Sequence, residues 1–187
     1  HEIAYRACFK SELPNFFIKI LTKPEDVVYD PFSGRGTTPI EASILGRNII
    51  SNDINPISKI LGKPRLSPPK LDELEERLYS IKFDMKAKAS IDLSAFYHPK
   101  TESEIVSIKN YLDNKRKYKN EDELDEWIRM VATNRLTGHS VGYFSVYTLP
   151  PNQAVSHERQ KKINIARSQK PEYRDTRKII LKKSRTL

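Results

Sequence analysis

Between Asp26 and Asp53 the chain compresses a strand, a glycine turn, a helix and a second strand into about 30 residues. Asp26-Val-Val-Tyr-Asp-Pro-Phe32 is a short apolar run ending in an acid and reads as a buried strand. Ser33-Gly-Arg-Gly36 breaks it. Glycine is scarce, only six in 187 residues, and three of them are Gly34, Gly36 and Gly46, so these positions mark where the backbone needs freedom. Thr37 to Leu45 follows as a helix with Thr37 or Thr38 as N-cap, Pro39 early and Gly46 as its stop. Asn48 to Asp53 is the second strand, again ending in an acid. A βαβ unit this short sets the class as α/β.

Other segments are helical. Leu13 to Leu21 carries a helical apolar pattern through Phe16, Phe17, Ile20 and Leu21. Leu71, Leu74, Leu78 and Ile81 form one stripe on a charged helix. Thr101-Glu-Ser-Glu104 and Asn120-Glu-Asp-Glu123 both fit a capping box; the second would open a helix with Leu124, Trp127, Ile128 and Val131 on one face. A polar, basic link near Asn114–Asn120 separates these two helices. Gly142 to Thr148 is expected to be a strand ended by Pro150-Pro151, and two further helices are expected over roughly 156–168 and 174–185, around Pro171. The spacing therefore predicts a βαβ region over 1–69, a helical insert over 70–136, and a loop with a basic helical tail over 137–187.

Charge is uneven along this layout. From His157 to Leu187 there are eleven basic and three acidic side chains, a surplus of eight, whereas the preceding 156 residues carry a surplus of one. A near-neutral body with a basic end suggests a polyanionic partner. A single cysteine, Cys8, excludes an internal disulfide and a Cys-rich zinc site, and suits a reducing, cytoplasmic compartment. No apolar run approaches the ~20 residues needed to cross a bilayer, so no membrane partner is expected. His98, His139 and His157 are widely spaced and lack companion ligands, so no metal site is expected. The chain begins with His1 rather than Met and reads as a trimmed piece.

The turn is where chemistry is expected. Two glycines at a strand end let the backbone pass close to a ligand at the carboxyl edge of a parallel sheet, and the N–H groups of the next helix face the same crevice. Asp53 is placed to accept both hydroxyls of a ribose, which suits an adenosine-containing cofactor. The spacing is Gly-x-Gly followed by Thr-Thr, so neither the dinucleotide fingerprint nor a Walker loop is met. Asp30 would repel a pyrophosphate but suits the cationic end of S-adenosylmethionine.

Asp30-Pro-Phe-Ser-Gly-Arg-Gly-Thr-Thr38, with Glu41-Ala42 and Gly46-Arg47 following, resembles the S-adenosylmethionine motif of the DNA amino-methyltransferases, which methylate cytosine N4 or adenine N6. The lead-in Leu21 to Val28 and the second-strand ending Asn52-Asp-Ile-Asn-Pro56 are similar to the same enzymes. Thr137-Gly-His-Ser140 and Tyr147 to Ser156 resemble one subset of site-specific DNA methyltransferases. The resemblance implies a class I, Rossmann-like methyltransferase fold. It places S-adenosyl-L-methionine against Asp30, Pro31, Phe32, Ser33, Gly34, Gly36, Thr37, Asp53 and Ile54, with Tyr5, Arg6 and Phe9 nearby. It also implies DNA as partner, and the remaining part of a methyltransferase or a restriction endonuclease as further partners.

The same family implies a catalytic tetrapeptide, Asp, Asn or Ser followed by Pro-Pro and Tyr or Phe. An acceptor and a carbonyl hold the hydrogens of the exocyclic amine and aim its lone pair, while the ring stacks on an extruded base. Ser67-Pro-Pro-Lys70 lacks the ring and Leu149-Pro-Pro-Asn152 lacks both features, so both read as structural and no catalytic residue is assigned. The missing tetrapeptide and the small number of strands predict an incomplete sheet and an N-terminal portion, or one half, of a larger enzyme. Alternatives are an RNA guanine-N2 methyltransferase, which carries a similar motif, and a non-catalytic cofactor- or DNA-binding subunit. In the tail, Lys161, Lys162, Arg174, Arg177, Lys182 and Lys183 are expected to contact phosphates. Trp127 is expected in a core, and Glu121-Asp-Glu123 is assigned to helix capping.

Overall fold

The computed structural model describes residues 9–138, 140–147 and 155–187. The chain divides into two compact units, residues 1–68 and 69–187.

In the first unit the order is α1 (Glu12–Leu21), β1 (Val27–Asp30), α2 (Thr37–Ile44), β2 (Asn48–Ser51), α3 (Pro56–Gly62) and a 3-10 turn (Lys63–Leu66). The strands are parallel neighbours, with Val27 opposite Asn48 and Asp30 opposite Ser51. Both end earlier than expected from sequence, for a shared reason. After β1 the Asp30 carboxylate accepts the Phe32 N–H at 3.0 Å, and after β2 the Asp53 carboxylate accepts the Asn55 N–H at 2.8 Å. Each aspartate bends the chain into a turn through its own side chain.

The helix between the strands starts differently from expectation. Its N-cap is Gly36, in the left-handed region at φ 83°, and neither Thr37 nor Thr38 caps it. Its end follows expectation: Gly46 is left-handed, its N–H bonds the Ser43 carbonyl, and the Arg47 N–H reaches back to Ala42 at 2.9 Å. Helix α1 packs against α2, where the Asn15 amide donates to Glu41 at 2.9 Å. Pro14 and Ile18 of α1 are buried, while Phe16, Phe17, Ile20 and Leu21 are exposed.

The second unit is helical: α4 (Leu71–Ser80), α5 (Pro99–Lys117), α6 (Glu123–Arg135), α7 (His157–Ala166) and α8 (Thr176–Ser184). Helix α8 packs against α4, α5 and α6, so part of the basic tail is a core element. The expected stripe on α4 is buried at Leu74, Leu78 and Ile81, and that on α6 at Trp127, Ile128 and Val131. The Trp127 indole donates to Ser184 Oγ at 2.9 Å, tying α6 to α8 inside the core.

Three local expectations give way here. Helix α5 begins at Pro99 with His98 as its cap, and Thr101 and Glu104 lie buried within it. The Glu104 carboxylate instead accepts the N–H and hydroxyl of Thr176 and the hydroxyl of Tyr173, holding the start of α8. The capping box of α6 is Asp122 with Asp125 rather than Asn120 with Glu123. Asp125 is also the fully buried centre of an ion-pair group with Arg77 and Lys115. Residues 142–147 form turns and bends, not a strand, because Phe144 and Gly138 bond back to Arg135 and Ser145 within one loop.

Candidate cofactor-binding site

The segment after β1 is held to the segment after β2 by side chain and backbone together. The Ser33 N–H and Oγ both donate to the Asn52 carbonyl, at 2.9 and 3.0 Å, and Ser33 Oγ meets Ser58 Oγ on α3 at 3.1 Å. The Gly34 N–H donates to Asp53 Oδ2 at 2.7 Å, while Asp53 Oδ1 takes the Asn55 N–H. Asp53 thus grips both loops at once.

Glycine is required at position 36 for two reasons. Its φ of 83° lies where side chains are strained, and a Cβ there would sit 3.2 Å from the Gly62 Cα. Arg65 donates to the Arg35 carbonyl and closes the same corner from the 3-10 turn. Ser58, Gly62 and Arg65 were not singled out by sequence reasoning. Their only mark in the sequence is that Gly62 is one of six glycines in the chain.

Seven of the expected cofactor residues, Asp30, Pro31, Phe32, Ser33, Gly34, Gly36 and Thr37, form the β1–α2 connection, and Asp53 and Ile54 form the loop bonded to it. Ser33 and Gly36 are buried as supports. Phe32 is 85% exposed and Ile54 is fully exposed. A polar cleft of about 450 Å³ is lined by Lys10, Glu12, Arg35, Thr37, Glu41 and Arg65 among others. Only Thr37 is common to the cleft and the expected set, so the cleft is a separate feature of this unit. Phe9 lines an apolar groove with Leu13, Phe17 and Val28. Tyr5, Arg6, His139 and Leu149-Pro-Pro-Asn152 lie outside the described residues. Ser67-Pro-Pro-Lys70 precedes α4, with Lys70 at the N-cap position.

The basic tail is not uniformly available. Arg177 donates to the carbonyls of Leu78 and Ile81 and stacks on Phe83 at 3.8 Å. Arg174 donates to the Val141 carbonyl and stands 3.8 Å from Glu172. Lys161 pairs with Asp92 at 3.2 Å. Lys162 and Lys182 are exposed and Lys183 is half-buried. Among the described residues there is no group of three or more side chains able to hold a metal ion, and no helix is long and apolar enough to cross a membrane.

Residues 1–60, which contain the whole glycine-turn assembly, match the DNA methylase family model of the N6/N4 type. This stretch is similar to the N6/N4 DNA methylases. The chain is 30% identical over 125 residues to the type II methyltransferase M.BsoBI of Geobacillus stearothermophilus, covering 62% of this chain and 24% of that protein. It is 28% identical over 97 residues to M.MvaI of Kocuria varians, covering 50% and 20%. Over 53 residues it is 43% identical to M.PvuII of Proteus hauseri, covering 28% and 16%. The chain thus spans about a fifth of the length of these curated relatives. No solved structure matches it.

Proposed function

We propose that this chain supplies the cofactor-binding part of an S-adenosylmethionine-dependent DNA methyltransferase acting on cytosine N4 or adenine N6, in a class I, Rossmann-like fold. The relatives are type II DNA methyltransferases, and the observation that carries the reading is the Asp53 clamp. Each Asp53 oxygen accepts one backbone N–H, and a carboxylate oxygen has room for a second donor. A ribose diol offers two hydroxyl donors at matching separation. The exposed rings and methyls of Phe32 and Ile54, at the ends of the two bonded loops, suit the flat apolar faces of an adenine.

When bound, S-adenosylmethionine supplies an electrophilic sulfonium methyl to the exocyclic amine of the target base. The protein's task on this side is orientation. Ser33, Gly34 and Gly36 let the backbone approach, Asp53 holds the sugar, and Asp30 lies close enough in the chain to favour a cation over a phosphate. The compartment consistent with this chemistry and the lone cysteine is the cytoplasm. Lys161, Lys162, Arg174, Lys182 and Lys183 remain proposed DNA contacts, with the exposed Lys162 and Lys182 best placed for phosphates, whereas Arg177 is turned onto the Leu78 and Ile81 carbonyls.

Calorimetry with S-adenosylmethionine tests the reading. Asp53→Ala removes charge-assisted bonds worth about 1.5–3 kcal/mol, a loss of about ten- to hundredfold in affinity. Asp53→Asn, which keeps one acceptor oxygen, is expected to fall between that variant and the unaltered chain. An unchanged dissociation constant in Asp53→Ala refutes the assignment.

A further inference from the structure

Arg135, the last residue of α6, has an environment unlike that of other arginines in the second unit. It is only 8% exposed, yet no carboxylate lies within ion-pair distance of it among the described residues. Its guanidinium lies over the Tyr143 ring, 4.1 Å from the centroid, and Nη2 donates to Tyr143 Oη at 3.3 Å and to the Asn134 side-chain oxygen. Nε is buried with no hydrogen-bond partner, and Nη1 has none among the described residues. Arg77 and Arg129, by contrast, each engage two acids.

A buried cation without an acid is costly, and a cation–π contact recovers only part of what desolvation removes. Burial accordingly pulls the Arg135 pKa below the ordinary arginine value, although Tyr143 opposes this. Hydrogen bonds join the described residues around Arg135. The Phe144 N–H bonds the Arg135 carbonyl at 2.8 Å and the Gly138 N–H bonds Ser145 at 3.1 Å. Ser145 is fully buried and donates to the Phe96 carbonyl. Tyr143 packs so closely on Gly138 that a Cβ there would collide with its ring. The described residues thus hold an arginine and its stacking ring in place while none of them provides a negative charge within ion-pair distance.

We infer that Arg135, stacked on Tyr143, is an anion receptor for a DNA backbone phosphate, whose charge completes the group. The guanidinium can donate to a phosphate through Nη1, which has no partner among the described residues, while its face stays on the ring. The inference rests on the DNA reading proposed above.

The test uses the full chain and two unrelated duplexes of ~20 base pairs, with binding followed by fluorescence anisotropy from ~50 to ~200 mM potassium chloride. Arg135→Gln is expected to weaken both duplexes about tenfold, uniformly, and to lower the slope of log affinity against log salt by about one. Arg135→Lys, which keeps the cation, is expected to restore most of that slope. In the unaltered chain, the Arg135 guanidinium resonances, identified by their loss in Arg135→Lys, are expected to shift when duplex is added; this reading stands even if Arg135→Gln does not fold. An unchanged slope in Arg135→Gln, resonances that ignore duplex, or a loss confined to one duplex sequence overturns the phosphate assignment while leaving DNA binding intact. Absence of salt-dependent binding by the unaltered chain overturns the DNA reading itself and this inference with it.

Discussion

Residues 9–68 leave Leu13, Phe16, Phe17, Ile20, Leu21, Val27, Tyr29 and Ile50 exposed, whereas in residues 69–187 Leu74, Leu78, Ile128, Met130, Val131 and Ile180 are fully buried. The two units contain similar apolar residue types and use them oppositely. In the second unit each amphipathic helix finds another helix, with α8 closing on α4, α5 and α6. In the first, two strands of four residues give the sheet too little area to cover α1 and both of its own faces. Apart from Ile18, Ala42 and Leu61, what is joined there is polar: the Ser33, Gly34, Asp53 and Ser58 bonds that shape the turn. Apolar packing specifies the helical unit, and hydrogen-bonded loop geometry specifies the candidate site.

The largest expected effect separates the two kinds of apolar residue. Ile128→Ala should cost about 2–5 kcal/mol in urea unfolding, because a fully buried side chain leaves a cavity. Phe16→Ala should stay within about 0.5 kcal/mol, as exposed sites do. Equal losses at the two positions would break the contrast.

A second substitution probes whether the turn depends on backbone conformation. Gly36→Ala introduces a side chain at φ 83° beside Gly62, and should cost about 1–2 kcal/mol in thermal unfolding while weakening cofactor binding. Retained stability and affinity would show that the corner relaxes.

The smallest effect concerns the ion pairs of the second unit. Burial opposes the charge on Asp122, but hydrogen bonds from Arg77 and the Asp125 backbone outweigh it and bring its pKa down to about 2. A depressed folded-state pKa means a stabilising contribution that is present above the usual carboxylate range near ~4 and is lost as pH falls towards about 2. Because the Asp122 side chain is 47% exposed, solvent screening holds this to about 1 kcal/mol or less. Asp122→Asn should flatten acid unfolding across that window, and an unaltered acid transition would refute this contribution.

Much of this was legible from residue order alone. The strand, glycine turn, helix and strand of residues 26–53 could be read because each signal is local: a short apolar run, paired glycines, and Gly46 with the Arg47 N–H closing the helix. The apolar stripes of α4 and α6 could be read because helical spacing puts Leu74 with Leu78, and Trp127 with Val131, on one face. One of the differing caps has a distant cause. Thr101-Glu-Ser-Glu104 has the composition of a capping box, but its polar groups are used by Thr176 and Tyr173, some 70 residues away.

Sequence by itself therefore determined the α/β order, the position of the glycine turn and the methylase resemblance that residues 1–60 bear out, since these depend on neighbours within a few residues. Tertiary structure alone decided which charges are available. It turned Arg177 inward onto the Leu78 and Ile81 carbonyls, paired Lys161 with Asp92, and left Arg135 without an acid among the described residues. A charge is the same letter wherever it falls, but its partner depends on which distant segment the fold brings within a few ångströms.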